Sequence, residues 1–177
     1  MGNDEKALEY AKKIIAVQES HFPWIKPNRL TAAVPDRVFT SEVIFGLQNL
    51  QRNNLYTSLF DGSNLKLSSL LAPRTDCVKQ IFENDQVDYR YSSALKNQVE
   101  ISGTQYSIFN KYQGESSDSL CNQLIPMMRV SEAYLIAAEL STATKDRLAY
   151  LNEFRNHRGI RSQDFADDYD IKIERRK

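Results

Sequence analysis

Two segments near the end of the chain carry apolar residues at helical spacing, and a short polar link separates them. The apolar positions of the first are Val130, Ala133, Tyr134, Ala137 and Leu140, and those of the second are Leu148, Leu151 and Phe154. A link of five residues forces two helices to fold back on each other. The pattern predicts a helical hairpin over 129–160, with Gly159 as the stop of its second helix.

The hairpin has the composition of a tetratricopeptide-like unit, because small residues on its first helix let the second approach closely. The start of the chain predicts a similar repeat-type helix over 1–22. Asn3 or Asp4 can cap this helix, and Pro23 ends it. We therefore expect a mainly α fold with tetratricopeptide-like helix pairs, long loops and a few short strands.

The middle of the chain, 23–128, predicts a loop-rich insert with short strands and helices. The run Val43–Leu47 favours a buried strand over a helix because it is short and has polar flanks. A short helix is expected from Thr75 or Asp76 to about Asn84. The alternating segments 87–91 and 105–112 favour short strands or extended loops. The remainder, 161–177, is a charged tail, and the length of 1–177 fits a single domain.

Composition excludes several classes of protein. The chain has 177 residues, with 23 Lys and Arg against 23 Asp and Glu, so the formal net charge is zero. Nucleic-acid binders need an excess of basic residues, so we expect no nucleic-acid partner. Cys77 and Cys121 lack metal-binding spacing, and we expect two free buried thiols, with one disulfide as the alternative.

Five stretches, in order, resemble the sequence words of the SusD/RagB-type family. They are Asp36-Arg37 with Ser41–Phe45, which is similar to the family's n-EvIFs-q segment; Asp88–Arg90, similar to its D-R element; Ile125–Glu139, similar to iPl-R-aE-yLi-AE; Leu151–Ile160, similar to LN-vR-rrGi; and Ile173–Lys177, similar to the start of i--ERr-E. On this resemblance the structural motif residues are Glu42, Phe45, Asp88, Arg90, Arg129, Glu132, Glu139, Asn152, Arg155 and Gly159.

The resemblance implies a surface-exposed outer-membrane lipoprotein that binds oligosaccharides or other nutrients and passes them to a SusC-like TonB-dependent transporter. It implies no catalytic residue and no cofactor. The family is longer than this chain and begins with a lipoprotein signal, so we expect the chain to be a partial domain. The alternative function is a helical protein–protein interaction module without a ligand site of its own.

Few residues carry binding chemistry. Trp24 lies between prolines and could offer a rigid ring to a sugar, or it could anchor its loop on the first helix. Asp88 and Arg90 would share one face of a strand and could bind a hydroxyl, although a salt-linked turn is favoured. Arg129 and Glu132 are expected to pair on one helix face. The acidic stretches Glu83–Asp88 and Asp164–Asp170 lack a calcium-loop pattern, so we expect no metal site.

Overall fold

The computed structural model describes residues 3–82, 87–95, 98–101, 103–114 and 123–177. These residues are mainly helical, as predicted. The helices are α1 Asp4–Ala16, α2 Gln18–His21, α3 Pro27–Leu30, α4 Arg52–Leu59, α5 Thr75–Phe82, α6 Tyr89–Ala94, α7 Val130–Leu140, α8 Thr144–Asn156 and α9 Asp168–Arg176, with 3-10 turns at Thr40–Glu42 and Leu67–Ser69. The strands are β1 Val43–Gln48, β2 Gln98–Ile101, β3 Thr104–Ser107 and β4 Leu124–Arg129.

The strands form two small sheets. β1 pairs with β4, and β2 pairs with β3 in an antiparallel hairpin whose register runs from Gln98 opposite Ser107 to Ile101 opposite Thr104. The chain divides into two compact units. The first comprises the described residues of 1–25, 41–45 and 127–177, and the second those of 26–40 and 46–126. The predicted division into 1–22, 23–128, 129–160 and 161–177 stays a prediction.

The first unit is built on the predicted helical hairpin, which α7 and α8 form. α1 packs on α7, and Asn3 caps α1 by accepting a hydrogen bond from the Lys6 N–H at 3.0 Å. The buried centre of this unit consists of Val130, Tyr134, Leu135, Ala138, Leu151, Phe154, Ala166 and Ile171. Burying a side chain such as Leu151 contributes about 1.5–3 kcal/mol, so the apolar face of the hairpin stabilises the unit.

The end of the hairpin is also as predicted. Gly159 adopts a left-handed φ of 73°, and the next residue, Ile160, donates its N–H to the Arg155 carbonyl at 3.0 Å. A residue with a Cβ is strained in this conformation, which explains a glycine at the stop.

Within the predicted charged tail, where no element was expected, the structure has helix α9 over Asp168–Arg176. Asp167 caps this helix by accepting from the Asp170 N–H at 2.9 Å, while the Asp170 carboxylate accepts from the Asp167 N–H at 3.0 Å. This reciprocal capping box satisfies two otherwise orphaned donors. Asp167 and Asp168 remain exposed, so the capping carboxylates of this helix lie at the surface.

Two expectations about the segments before the hairpin need correction. β1 is a strand, as predicted, but it is not buried, since Phe45 is 58% exposed. Arg129 ends β4 and does not lie in helix α7, so the premise that it shares a helix face with Glu132 is wrong. Pro126 lies within β4, which is tolerated because every strand of a two-stranded sheet is an edge strand.

The second unit holds the predicted short helix α5, whose Val78 and Phe82 are buried together with Leu95. The expected strand at 87–91 is wrong, because α6 begins at Tyr89 and Asp88 caps it. Part of the expected strand at 105–112 is confirmed by β3. Cys77 is an exposed free thiol and not a buried one, and Cys121 lies outside the described residues.

Candidate ligand-binding site

A concave cavity of about 350 Å³ lies in the second unit. Three pieces of chain form it: the 3-10 turn at Leu67–Ser69 with the stretch that follows, the first turn of α5, and β3. The lining residues are Leu67, Leu70, Ala72, Pro73, Arg74, Thr75, Asp76 and Tyr106. Its size falls in the lower part of the range of small-molecule sites, which are mostly apolar with a few placed polar groups.

One side of the cavity presents a bidentate ion pair. Arg74 donates through Nε to Asp76 Oδ1 at 3.1 Å and through Nη2 to Oδ2 at 2.5 Å. Both side chains are exposed, at 78% for Arg74 and 64% for Asp76. Two parallel hydrogen bonds fix the relative orientation of a guanidinium and a carboxylate more tightly than a single contact would. The pair therefore offers an oriented donor and acceptor to solvent or a ligand.

The pair also sets the ionisation of its members. The hydrogen bond from Arg74 holds the pKa of Asp76 below its usual range, and the same hydrogen bond raises the pKa of Arg74. Asp76 also lies in the first turn of α5, where the helix dipole favours a negative charge. The carboxylate therefore remains an anion at neutral and mildly acidic pH.

Apart from Thr75, the other lining residues are aromatic or aliphatic. Tyr106 is part-buried on β3, where it pairs with Val99, and it lines the same cavity as Leu67 and Pro73. An aromatic ring beside a few hydrogen-bonding groups is the arrangement that suits a sugar, because a pyranose has flat C–H faces and a rim of hydroxyls.

Trp24, the residue expected to hold a sugar, lies in the first unit and is part-buried against the hairpin. Its ring stacks on His157, with centroids 4.8 Å apart at 12°, and it meets Tyr134 at 4.9 Å in a tilted contact. The Arg158 guanidinium lies 5.2 Å from the ring. These contacts favour the anchoring role, although the anchor packs on the hairpin and not mainly on the first helix. A ligand-binding role for Trp24 stays a prediction.

A buried ion pair lies beside Trp24. Glu42 accepts from Arg158 Nη1 at 2.8 Å and Nη2 at 2.5 Å, and its Oε1 also accepts from the Ile25 N–H at 3.1 Å. Both side chains are buried, with 1% of Arg158 and 0% of Glu42 exposed. This pair ties the 3-10 turn before β1 to the end of the hairpin, and burial removes it from contact with a ligand.

Burial and nearby carboxylates raise the pKa of Tyr134. Desolvation, together with the negative charges of Glu153 and Glu19, raises its pKa to about 12. Glu153 also contacts His157, whose Nε2 lies 3.1 Å from its Oε1. The phenol therefore stays neutral throughout the physiological range, and it contributes packing to this unit without acid–base chemistry.

Several other motif residues hold chain segments together. Asp88 is fully buried, caps α6 through the Arg90 N–H at 2.8 Å and forms an ion pair with the Arg90 side chain at 2.7 Å, which is the salt-linked turn that was favoured. Asn152 donates to the Gln163 carbonyl and accepts from the Gln163 N–H, both at 2.8 Å. Through these two hydrogen bonds the Asn152 side chain pairs with the Gln163 backbone as a neighbouring strand would, and it joins α8 to the loop after the hairpin.

The charged motif residues of the hairpin face α9. Arg155 forms an ion pair with Glu174 and donates to the Arg161 carbonyl at 2.9 Å. Glu132 and Glu139 both approach Arg175, at 3.4 and 2.9 Å. The assignment of all these residues as a family motif stays a prediction, and the structure shows only which contacts each makes.

The residues of the cavity did not stand out in the sequence. Tyr106 is one of several aromatic residues in the alternating segments, and Arg74 belongs to no recognisable motif. The available signals were a Pro-Arg-Thr-Asp run at the start of an expected helix and an aromatic residue in an alternating segment. Neither signal indicates that the two segments meet in space.

No protein-family model matches the chain, and none of the curated proteins matches it. A solved structure does resemble it: the crystal structure of a "putative sugar binding protein" from Bacteroides vulgatus ATCC 8482, with a TM-score of 0.67 and 22% sequence identity. The match covers 98% of this chain and 40% of that chain. At this identity the likeness shows that the two proteins share a fold, and this chain spans about two fifths of that protein's length.

Within the described residues, the helices are too short or too polar to span a membrane. The mainly α fold is shown by the helices of the described residues and by the likeness to the solved structure. Membership of the SusD/RagB-type family stays a prediction that rests on the sequence words.

Proposed function

We propose that this chain binds carbohydrate without chemically altering it and takes part in nutrient uptake. The cavity beside Tyr106 carries the proposal, because it combines an aromatic ring with an exposed and oriented Arg74–Asp76 pair. Fold alone does not define function, so the argument rests on this site. The sugar-binding description of the B. vulgatus protein, whose fold this chain shares, supports the same class of ligand.

The physical basis of binding is the match between the two sides of the cavity and the two kinds of sugar surface. The Tyr106 ring can cover C–H groups, and the ion pair can exchange hydrogen bonds with hydroxyls. Because the pair is already held together by two hydrogen bonds, little side-chain entropy is lost when a ligand arrives. The cavity is partly open to solvent, which suits reversible capture.

We further propose that the chain acts at the outer-membrane surface of a Gram-negative bacterium and delivers its ligand to a SusC-like TonB-dependent transporter. The five ordered sequence words support this part of the proposal. It predicts co-purification of such a transporter with the natural protein from membranes. Absence of any transporter from that preparation would contradict this part and leave carbohydrate binding standing.

A second candidate is a protein–protein interaction module. Exposed apolar side chains in the first unit favour it, since Phe45 is 58% and Met127 59% exposed. Apolar side chains that remain in water often mark a partner surface. A protein that binds no sugar but forms a stable complex lost in Phe45→Ser would favour this second function.

Calorimetric titration with an oligosaccharide panel tests the first proposal. Tyr106→Leu removes the ring and keeps apolar bulk, and we expect it to weaken binding about tenfold, as for the loss of an aromatic contact of about 1.4 kcal/mol. Tyr106→Phe should bind nearly as well as the unchanged protein. Tyr169→Leu is the matched control because Tyr169 is 64% exposed on α9 and lies outside the cavity.

The exposed thiol of Cys77 provides an independent measurement of where a sugar binds. It follows Asp76 on α5, so a fluorophore attached there lies next to the cavity. In a Cys121→Ser background, a bound sugar should change the emission of this label. The proposal for this cavity would be contradicted by a sugar that binds in calorimetry, whose affinity does not change in Tyr106→Leu and which leaves the emission of the label unchanged. Such a sugar would bind elsewhere on the protein.

A further inference from the structure

The cavity presents opposite charges in balance. Among the residues that line it, Arg74 and Asp76 are the charged ones, and they neutralise each other in a bidentate pair. A site that attracts anionic ligands normally carries an excess of unpaired basic groups. The guanidinium here is already engaged by an intramolecular carboxylate, so an incoming carboxylate would have to compete with Asp76 for it.

The hydrogen-bonding capacity of the pair is only partly used. A guanidinium has five N–H donors, and the bonds to Asp76 use one at Nε and one at Nη2. Each carboxylate oxygen accepts one hydrogen bond from Arg74, and the backbone N–H groups of Asp76 and Cys77 also act on the carboxylate, whose two oxygens have about four acceptor positions. Donors and acceptors therefore remain side by side at the rim of one planar pair.

We infer that this cavity selects neutral sugars through a pair of adjacent hydroxyls, one donating to Asp76 and its neighbour accepting from Arg74. This inference rests on the proposed carbohydrate-binding function and names its ligand class. A hydroxyl both donates and accepts, so two neighbouring hydroxyls match an acceptor beside a donor. A uronic acid or sulfated sugar would place a negative charge beside Asp76, and like charges in contact disfavour binding.

The pair also has a clear place in the cavity. Asp76 sits in the first turn of α5, and Pro73 directly precedes Arg74, so the chain is restricted on both sides of the pair. The Tyr106 ring shares the cavity with the pair. A sugar whose C–H face covers the ring would present its ring hydroxyls toward the polar side.

Paired ligands test the inference. We would titrate the 177-residue chain at 0.15 M salt, a physiological ionic strength, with neutral hexose oligosaccharides and with uronate oligosaccharides of the same linkage. The expected result is that one or more neutral members bind at least tenfold more tightly than their uronate counterparts. Tighter binding of the uronates would overturn the inference and leave carbohydrate binding intact. Failure of every sugar, neutral and acidic, would overturn the proposed function itself.

Charge-changing variants test whether the Arg74–Asp76 pair itself, and not surface charge in general, discriminates between the sugars. Asp76→Asn keeps the shape and removes the negative charge, so we expect neutral binding to fall about tenfold and the discrimination against uronates to shrink. Arg74→Gln should weaken neutral binding without improving uronate binding. Glu9→Gln is the matched control, because Glu9 and Lys13 form an equally exposed pair on α1. Unchanged selectivity in Asp76→Asn would contradict the inference.

Discussion

Each unit contains a bidentate ion pair between an arginine and an acidic side chain, and the two pairs differ in burial. In the first unit Arg158 and Glu42 form a bidentate pair that is almost completely buried, and in the second Arg74 and Asp76 form one that is mostly exposed. A buried charge pair must be fully satisfied inside the protein, so it determines which chain segments meet. An exposed pair contributes little to stability and keeps unused hydrogen-bonding groups for a ligand.

This difference separates the architectural region from the candidate binding region. In the first unit, the Trp24 ring contacts the rings of Tyr134 and His157 and lies 5.2 Å from the guanidinium of the buried pair. In the second unit, the Tyr106 ring borders a cavity of about 350 Å³. Aromatic residues and Arg–carboxylate pairs therefore indicate a site only when the fold leaves them accessible.

The largest effect is expected from breaking the buried pair. Glu42→Gln removes the carboxylate that pairs with the buried Arg158 guanidinium, and removal of one partner of such a pair typically costs about 3–5 kcal/mol. We expect the free energy of unfolding to fall by this amount in urea denaturation. A loss below about 1 kcal/mol, the range of an exposed pair, would contradict the comparison.

A pair of intermediate burial should have an intermediate effect. Arg155 is 12% exposed and Glu174 is 2% exposed, and Lys177 Nζ lies 3.4 Å from the same carboxylate. Because Lys177 can still compensate the charge, Arg155→Ala should cost about 1.5–3 kcal/mol, the range of a hydrogen bond to a charged group. The same denaturation experiment measures it, and an effect as large as that of Glu42→Gln would break the ordering by burial.

Replacing the glycine that ends the hairpin should lower stability by a smaller amount, and the cause is backbone strain. Gly159→Ala forces a Cβ into the left-handed conformation at φ 73°, which costs about 1–2 kcal/mol. Gly103→Ala, at φ 78° in the turn between β2 and β3, is a matched control in the second unit, with nothing within 4 Å of the new Cβ. Similar losses in both would show backbone strain. No loss at Gly159 would contradict the observed conformation.

The smallest effect on stability is expected at the exposed pair. Arg74→Gln should leave the midpoint of urea denaturation unchanged, because both side chains of its pair are solvated. The same variant should weaken binding of a neutral oligosaccharide in a calorimetric titration. A clear loss of stability without a loss of binding would reverse the roles assigned to the two pairs.

The pH dependence of binding sharpens the role of Asp76. Its pKa is lowered by the hydrogen bond from Arg74, so the carboxylate remains ionised where an unperturbed aspartate begins to take up a proton. Binding should therefore be constant from neutral pH down to the ordinary pKa of Asp, about 4, and should be lost only below it. A decrease already centred near pH 6 would indicate that another group controls binding.

The hairpin could be predicted because its apolar residues repeat over two full helices and Gly159 marks the end. α9 was missed because its buried face includes Glu174, which a hydropathy pattern counts as exposed, and because its capping box uses Asp170 where Glu or Gln is usual. α6 was missed because alternating polar and aromatic residues imitate a strand, while the deciding feature is the cap at Asp88.

The candidate site could not be predicted, because it depends on a contact between distant parts of the chain. Arg74 and Asp76 are local to each other, but Tyr106 is thirty residues further on, and only the fold brings it to the same cavity. Trp24 shows a different limit. Its type and its prolines left an exposed ring and a loop anchor both open, and its contacts with His157 and Tyr134 depend on the packed hairpin.

A crystal structure of the chain with a neutral oligosaccharide that it binds in solution tests the central claim most directly. We expect a sugar ring against Tyr106, with neighbouring hydroxyls hydrogen-bonded to Arg74 and Asp76. A sugar stacked on Trp24, with the cavity beside α5 empty, would contradict it.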